Sequence, residues 1–253
     1  MRFLLYNIRY GAGIGWKVHF PVPFGGYLKH TSDNFRQIAD FIKSVNPDIT
    51  GLIEVDSGSF RTHRHNQARL IAEEIQHHHV FENKYSGRSM VRKLPLFNKQ
   101  GNAFLTNQNI RSLRFHYFKH GFKRLVIEAE LDEFTTFIVH LSLQYRHRQD
   151  QLRHLKTLVR AANKPVIVAG DFNVFRGEGE LTQFMGATGL MNANAAGEPS
   201  HPSRAPKRQL DYILHSPEIE AHRFEAPRVA FSDHIPLIWD FDIRQRAGLA
   251  RAA

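Results

Sequence analysis

The 253 residues include no cysteine. That absence excludes disulfides, a thiolate nucleophile and any zinc site built on sulfur. Long apolar runs are also missing. No segment approaches the roughly 20 residues that a helix needs to span a bilayer, so no transmembrane helix is expected. The opening Met1-Arg2-Phe3-Leu4-Leu5-Tyr6-Asn7-Ile8-Arg9 is too short in apolar residues for a signal peptide, and the expected location is cytoplasmic. Acidic residues are the scarcer charge, 24 against 34 Lys and Arg, which leaves a formal net charge of +10. Such a surface favours polyanions, either nucleic acid or an anionic membrane surface, although a basic surface also serves solubility. The basic residues gather at 61–65, 111–124, 146–160 and 204–208. Hydrophobic content of 42% is ordinary for a globular chain with a sizeable core.

What the sequence does have is a set of polar residues placed where apolar runs stop. In Ile167-Val168-Ala169-Gly170-Asp171-Phe172-Asn173 a buried strand reaches a glycine that permits a tight turn. Residues two apart on an extended segment point the same way, so Asp171 and Asn173 face one spot. A carboxylate beside a carboxamide suits a divalent metal and a water nucleophile, although an Asx turn closing a strand reads the same way. Asn7 ends Leu4-Leu5-Tyr6-Asn7. Glu54 sits inside Ile49-Thr50-Gly51-Leu52-Ile53-Glu54-Val55, and His140 likewise inside Phe137-Ile138-Val139-His140-Leu141. Asp233 and His234 precede Ile235-Pro236-Leu237. A carboxylate within a strand is costly to bury unless it is paired or holds a metal. Several polar residues ending separate strands point to a shared site.

Taken in order, Asn7, Glu54, His140, Gly170-Asp171-Phe172-Asn173, Gln209-Leu210-Asp211-Tyr212-Ile213-Leu214 and Ser232-Asp233-His234 resemble the endonuclease/exonuclease/phosphatase superfamily. That group includes deoxyribonucleases, deadenylases, neutral sphingomyelinases and inositol-phosphate phosphatases. The likeness runs from residue 3 to about residue 241. It implies a four-layered α/β sandwich, in which two packed mixed β-sheets are flanked by helices. The expected organisation is one catalytic domain over 1–243, with 244–253 a disordered tail, and a monomer.

Hydrophobic periodicity supplies the elements. Strands are expected at 2–8, 49–55, 79–85, 101–107, 110–118, 123–131, 134–141, 165–170, 209–214, 222–230 and 236–241. Helices are expected near 32–45, 66–77, 146–162 and 178–186, the first with Ser32 or Asp33 as its cap.

Phosphoester hydrolysis needs a cation to neutralise the phosphate and a base to activate water. The resemblance implies Mg²⁺ or Mn²⁺ held by Glu54 and supported by Asn7, with Asp233 a second ligand or an orienting group. It implies that Asp171 activates the water and that Asn173 donates to the scissile phosphate. His234 becomes the phosphate-contacting acid or base, and Asp211 fixes its tautomer. His140 would stabilise the transition state or protonate the leaving oxygen. A histidine at that position resembles deoxyribonucleases, deadenylases and sphingomyelinases, whereas typical abasic-site endonucleases carry a tyrosine. Arg146 and Gln149 resemble the family's Arg-x-x-Gln helix start, where Arg146 is either a substrate contact or a residue that caps or pairs at the helix start.

Other features carry less. His77-His78-His79 at a helix end would not converge on a metal, and Gly11-Ala12-Gly13-Ile14-Gly15 has no Lys-Ser/Thr after it. The apolar segment 16–28 suits packing, a lid or a lipid contact. Retention of all the matched polar positions argues against an inactive binding module. A nuclease acting on DNA or RNA is favoured slightly, on basicity, over a phospholipid-headgroup or inositol-phosphate hydrolase; substrate choice resides in loops rather than in the shared site.

Overall fold

Strands and helices alternate in two similar blocks, and each block builds one sheet with two helices against it. The computed structural model describes residues 1–14, 32–84 and 97–244. The apolar segment 16–28 and the tail beyond 244 lie outside the described residues.

In the first block β1 (Arg2–Asn7) runs parallel to β2 (Ile49–Asp56), joined through α1 (Ser32–Val45). After β2 come α2 (Gln67–Ile75), β3 (His78–Asn83) and β4 (Gln100–Thr106). In the second block β7 (Thr135–His140) runs parallel to β8 (Val166–Asp171), joined through α3 (Tyr145–Ala161). It is preceded by β5 (Ser112–Tyr117) and β6 (Leu125–Glu130), and followed by α4 (Thr182–Thr188), β9 (Met191–Asn192) and β10 (Asp211–His215). The chain then returns to the first sheet with β11 (Ile219–Glu225) and β12 (Leu237–Ile243). The sheet orders are β11-β12-β1-β2-β4-β3 and β5-β6-β7-β8-β10-β9. Each parallel pair therefore sits in the middle of its sheet, and both pairs end in polar residues.

Side chains alternate along each strand, so every central strand is apolar on both faces. Phe3, Leu5, Ile53, Ile127, Ile138, Ile167, Ala169, Leu237 and Trp239 form the layer between the sheets. Leu4, Tyr6 and Leu52 turn the other way onto Ile38, Ile42, Ala68 and Ile71 of α1 and α2. Phe137, Val139 and Val168 meet Leu152, Leu155, Val159 and Phe184 of α3 and α4. The order is helix, sheet, sheet, helix, the sandwich expected from the sequence. No helix among the described residues is long and apolar enough to cross a membrane.

Most expected elements fall within a residue or two, and the differences have local causes. The helix expected at 178–186 is a 3-10 turn at Glu178–Glu180 followed by α4. β11 stops at Glu225, before Pro227, which has no N–H for the ladder. Two-residue β9 is too short to leave a periodic signature. Gln76 takes a left-handed conformation (φ 57°) and ends α2 early, so His78 and His79 open β3 rather than closing a helix. Asp33 lies inside the first turn of α1 rather than before it.

Two arginines from the basic clusters are not on the surface. Arg61 is 1% exposed and its Nη2 lies 2.8 Å from Asp56 Oδ2, which also accepts Ser59 Oγ at 2.5 Å. Arg148 turns inward from α3 to Glu180, with Nε at 2.9 Å from Oε2, and its Nη1 donates to the carbonyls of Ser142 (2.8 Å) and Leu143 (2.9 Å). Arg148→Met would leave Glu180 charged, buried and unpaired. Breaking such a pair costs about 3–5 kcal/mol. Urea denaturation should show a loss of that order, and a loss below about 1 kcal/mol, the median worth of an exposed pair, would contradict the buried ion pair.

Candidate active site

Register brings the strand-end residues together. His140 of β7 is the parallel partner of Asp171 of β8, and Asp211 of β10 is the antiparallel partner of Asp171 on its other side. Partners in register share a face, so the three form one row across adjacent strands. Gly170 makes the row possible. A Cβ there would lie 1.9 Å from the carbonyl oxygen of Val139, and its φ of +157° disfavours other residues. Asn7 reaches the row from the first sheet and donates from Nδ2 to Asp171 Oδ2 at 3.2 Å. His140 Nε2 lies 3.2 Å from the same oxygen, and His234 Nε2 lies 4.0 Å away. The other carboxylate oxygen accepts the Asn173 N–H at 3.0 Å. Asn173, itself left-handed (φ 52°), ties its Nδ2 to the Leu141 carbonyl at 3.0 Å.

Glu54 is aimed by a bulge. Leu52 pairs with Ala103 and Val55 with Gly101, so Ile53 and Glu54 together oppose Asn102. Glu54 adopts φ +57°, and its N–H donates to Asn102 Oδ1 at 3.3 Å. Bulges of this kind re-aim side chains, and a left-handed non-glycine residue stores backbone strain. The Glu54 carboxylate lies 3.7 Å from Lys123 Nζ and 3.9 Å from His140 Nε2. Both separations exceed hydrogen-bond length, so its lone pairs remain open to a cation.

Asp211 and His234 are in close contact, with Nδ1 at 2.6 Å from Asp211 Oδ2. Ser200 Oγ donates to that oxygen at 2.6 Å and accepts the Leu210 and Asp211 N–H groups. Asp233 lies apart from Glu54: its Oδ2 is 3.4 Å from Arg9 Nη1, and it gathers with His201 and His234. Arg146 is exposed in the first turn of α3, while Gln149 Nε2 reaches the Glu180 carbonyl at 3.4 Å.

Sequence reasoning passed over several neighbours. Lys123, in the β5–β6 turn, has its Nζ against His140 Nε2. Lys84 Nζ contacts the Tyr10 hydroxyl (3.0 Å) and Gln100 Oε1 (2.5 Å). His201 holds its ring 4.8 Å from that of His234. None ends an apolar run, and Lys123 was one basic residue among many in its cluster. Only the fold of the β5–β6 turn over His140 singles it out.

The charges settle as a set. Burial works to raise the Asp171 pKa, yet His140, His234 and Lys123 hold it well below the usual carboxylate range. Burial likewise works to raise Glu54, and Lys123, His140 and Lys84 outweigh it to leave it lowered. Burial raises Asp211. His234 is pushed up to about 10, because Asp211, Asp171 and Asp233 overcome the burial that would lower it. Burial and then Lys123 depress His140. Burial brings Lys84 down to about 8 and His201 to about 4. At neutral pH the centre combines a permanent carboxylate, a neutral His140 and an imidazolium at His234. Glu54, Asn7 and Asp171 offer the hard oxygen atoms that Mg²⁺ or Mn²⁺ takes, so the donor set fits such an ion.

The sequence pattern of the endonuclease/exonuclease/phosphatase family matches residues 4–234. No curated protein matches the chain in sequence. Among solved structures, a mannosyl-6-phosphatase from Bacteroides thetaiotaomicron VPI-5482 is 15% identical, with a TM-score of 0.72. The alignment covers 96% of this chain and 100% of that one. The human nocturnin catalytic domain with bound sulfate is 22% identical with a TM-score of 0.68, over 96% of this chain and 94% of that one. ANGEL2, a 2',3'-cyclic phosphatase, is 16% identical with a TM-score of 0.68, over 96% and 95%.

The Asp211–His234 pair gives a pH signature. Because the folded pKa of His234 is raised, its contribution to stability is complete below about pH 6.5, the unfolded value, and is lost as pH rises through about 10. Side-chain NMR of the metal-free protein should find His234 protonated at pH 8, and Asp211→Asn should bring its midpoint back towards the ordinary value. A midpoint near 6.5 in the unaltered protein would contradict the pairing.

Proposed function

The chain belongs to the endonuclease/exonuclease/phosphatase family, whose members are phosphoester hydrolases, and we propose that it hydrolyses a phosphodiester with the help of Mg²⁺ or Mn²⁺. The carrying observation is the Asp171 carboxylate, which receives groups from both sheets while Lys123, Lys84 and His234 surround the centre with positive charge.

Glu54 would hold the ion, with Asn7 as a further oxygen donor, while Asp233, gathered with His201 and His234, would orient His234. Bound there, the ion would neutralise phosphate charge and acidify a coordinated water. Asp171, deprotonated throughout the neutral range, would align the water and take its proton as the new O–P bond forms. His234, kept cationic by Asp211, would donate to a non-bridging oxygen of the phosphate. Asn173 has a second amide N–H beyond the one given to Leu141, and this would donate to the same phosphate. His140, neutral and backed by Lys123, would stabilise the pentacovalent transition state, and the leaving oxygen would take its proton from solvent water as the old P–O bond breaks. Arg146 remains a proposed contact for the rest of the substrate.

For the substrate we favour a nucleic-acid diester, on the net charge of +10. Arg61 and Arg148 do not contribute to that argument, because both are buried in ion pairs. A smaller phosphoester is the second reading, favoured by the likeness to a mannosyl-6-phosphatase.

An aryl phosphodiester should be hydrolysed in Mg²⁺ or Mn²⁺, lose turnover in EDTA and regain it on adding the metal back. Glu54→Ala should weaken activity and metal dependence together. Undiminished turnover in chelator would sink the metal-assisted reading.

Asp171→Asn and His234→Ala should each lower kcat by about a hundredfold or more, the size of general acid–base terms, with little change in KM. If both folded variants stayed within a few-fold of the unaltered enzyme, the chemistry would lie elsewhere.

A further inference from the structure

Beside the reaction centre lies a cavity of about 440 Å³, bounded by Gly121, Phe122, Lys123, Ser142, Leu143 and His147 among others. Its volume falls within the range of small-molecule sites. Lys123 is shared between the two. Its Nζ touches His140 in the centre, and its residue forms part of the cavity wall. A group attached to a phosphate at His140 would therefore reach this cavity directly.

The cavity is held in shape by one buried side chain. Gln151 of α3 donates from Nε2 to the carbonyls of Lys123 (2.7 Å) and His120 (3.0 Å), and its Oε1 accepts the Ser142 N–H at 2.8 Å. This clamps the β5–β6 turn to the segment after β7. Gly121 permits it, with φ +93° and a Cβ position only 2.9 Å from Gln151 Nε2. On that rigid frame the protein leaves large apolar groups in water: Phe122 is 76% exposed and Leu143 59%. The His147 ring stacks on that of His120, 6.1 Å apart and 18° from parallel.

We propose that this cavity is a subsite for the base of an unpaired nucleotide, whose phosphate lies at His140 and Lys123. A base offers a planar apolar face for Phe122 and Leu143, and a polar edge for His147 and Gln144 at the cavity lining. The strand that carries it is anionic, and it is matched in charge by Lys123 in the cavity wall and by Lys119 and Arg124 in the same β5–β6 turn. Stacking of this kind tolerates any base. The assignment rests on the reading that the His140 centre holds a phosphate ester, and it adds that the substrate is unpaired rather than duplex.

Phe122→Ala tests it, since a side chain so exposed can be removed without unfolding the protein. Equilibrium binding of a short single-stranded oligonucleotide, measured in EDTA, should weaken by about tenfold, as loss of one base stack predicts. With metal present, KM for the same strand should rise similarly, while turnover of glycerophosphocholine, a diester without a base, stays unchanged. Unaltered binding of the strand would overturn the subsite. So would an equal loss on the base-free diester, or a loss confined to phosphatidylcholine vesicles. If the unaltered enzyme cleaves neither diester, the catalytic reading fails by itself, and the binding measurement still decides the subsite.

Discussion

Burying the Asp171 carboxylate at the common end of two sheets constrains everything around it. A charge with 1% exposure persists only if its neighbours answer it. Asn7 does so from the first sheet, and His140 and His234 from or beside the second. The Asn7–Asp171 hydrogen bond is therefore also a polar stitch between layers that otherwise meet through Phe3, Leu5, Ile138 and Ile167. One sheet supplies Glu54 from a bulge; the other supplies the row His140, Asp171 and Asp211 from plain register. The centre exists only where both are present.

The two halves share a plan. In each, a parallel pair joined by a helix sits in mid-sheet and ends in polar residues: Asn7 and Glu54 in one, His140 and Asp171 in the other. No internal repeat was visible in the sequence, because the likeness lies in topology and strand ends rather than in residues. The helices also divide the work. α1 and α2 pack apolar faces on the first sheet and send Asn34 and Gln67 to nearby loop carbonyls, while α3 adds Arg148 and Gln151, which reach beneath the loops around the centre.

Much of this was legible in advance. Strands such as Val166–Asp171 announced themselves because both faces are buried, leaving an unbroken apolar run that stops at a polar end. The same stops marked Asn7, Glu54, His140 and Asp171. What escaped the sequence depends on geometry. The left-handed backbone of Glu54 cannot be read from Ile53-Glu54-Val55, and Lys123 gains its position only when the β5–β6 turn folds over His140. Arg61 and Arg148 looked like surface charge because burial depends on partners, Asp56 and Glu180, that no spacing rule connects to them.

The pairing of β1 with β12 carries a consequence for how the molecule comes to exist. Phe3 aligns with Trp239, and Leu5 with Leu237. β1 thus keeps one ladder edge open until the last stretch of the described chain has been made. Such late, distant pairings slow folding and leave an apolar edge open to wrong partners. The second sheet faces no such delay, since all its strands lie between Ser112 and His215. During synthesis that half can close first and offer its inner face, with Ile127, Ile138 and Ile167, as a template on which the unfinished half waits.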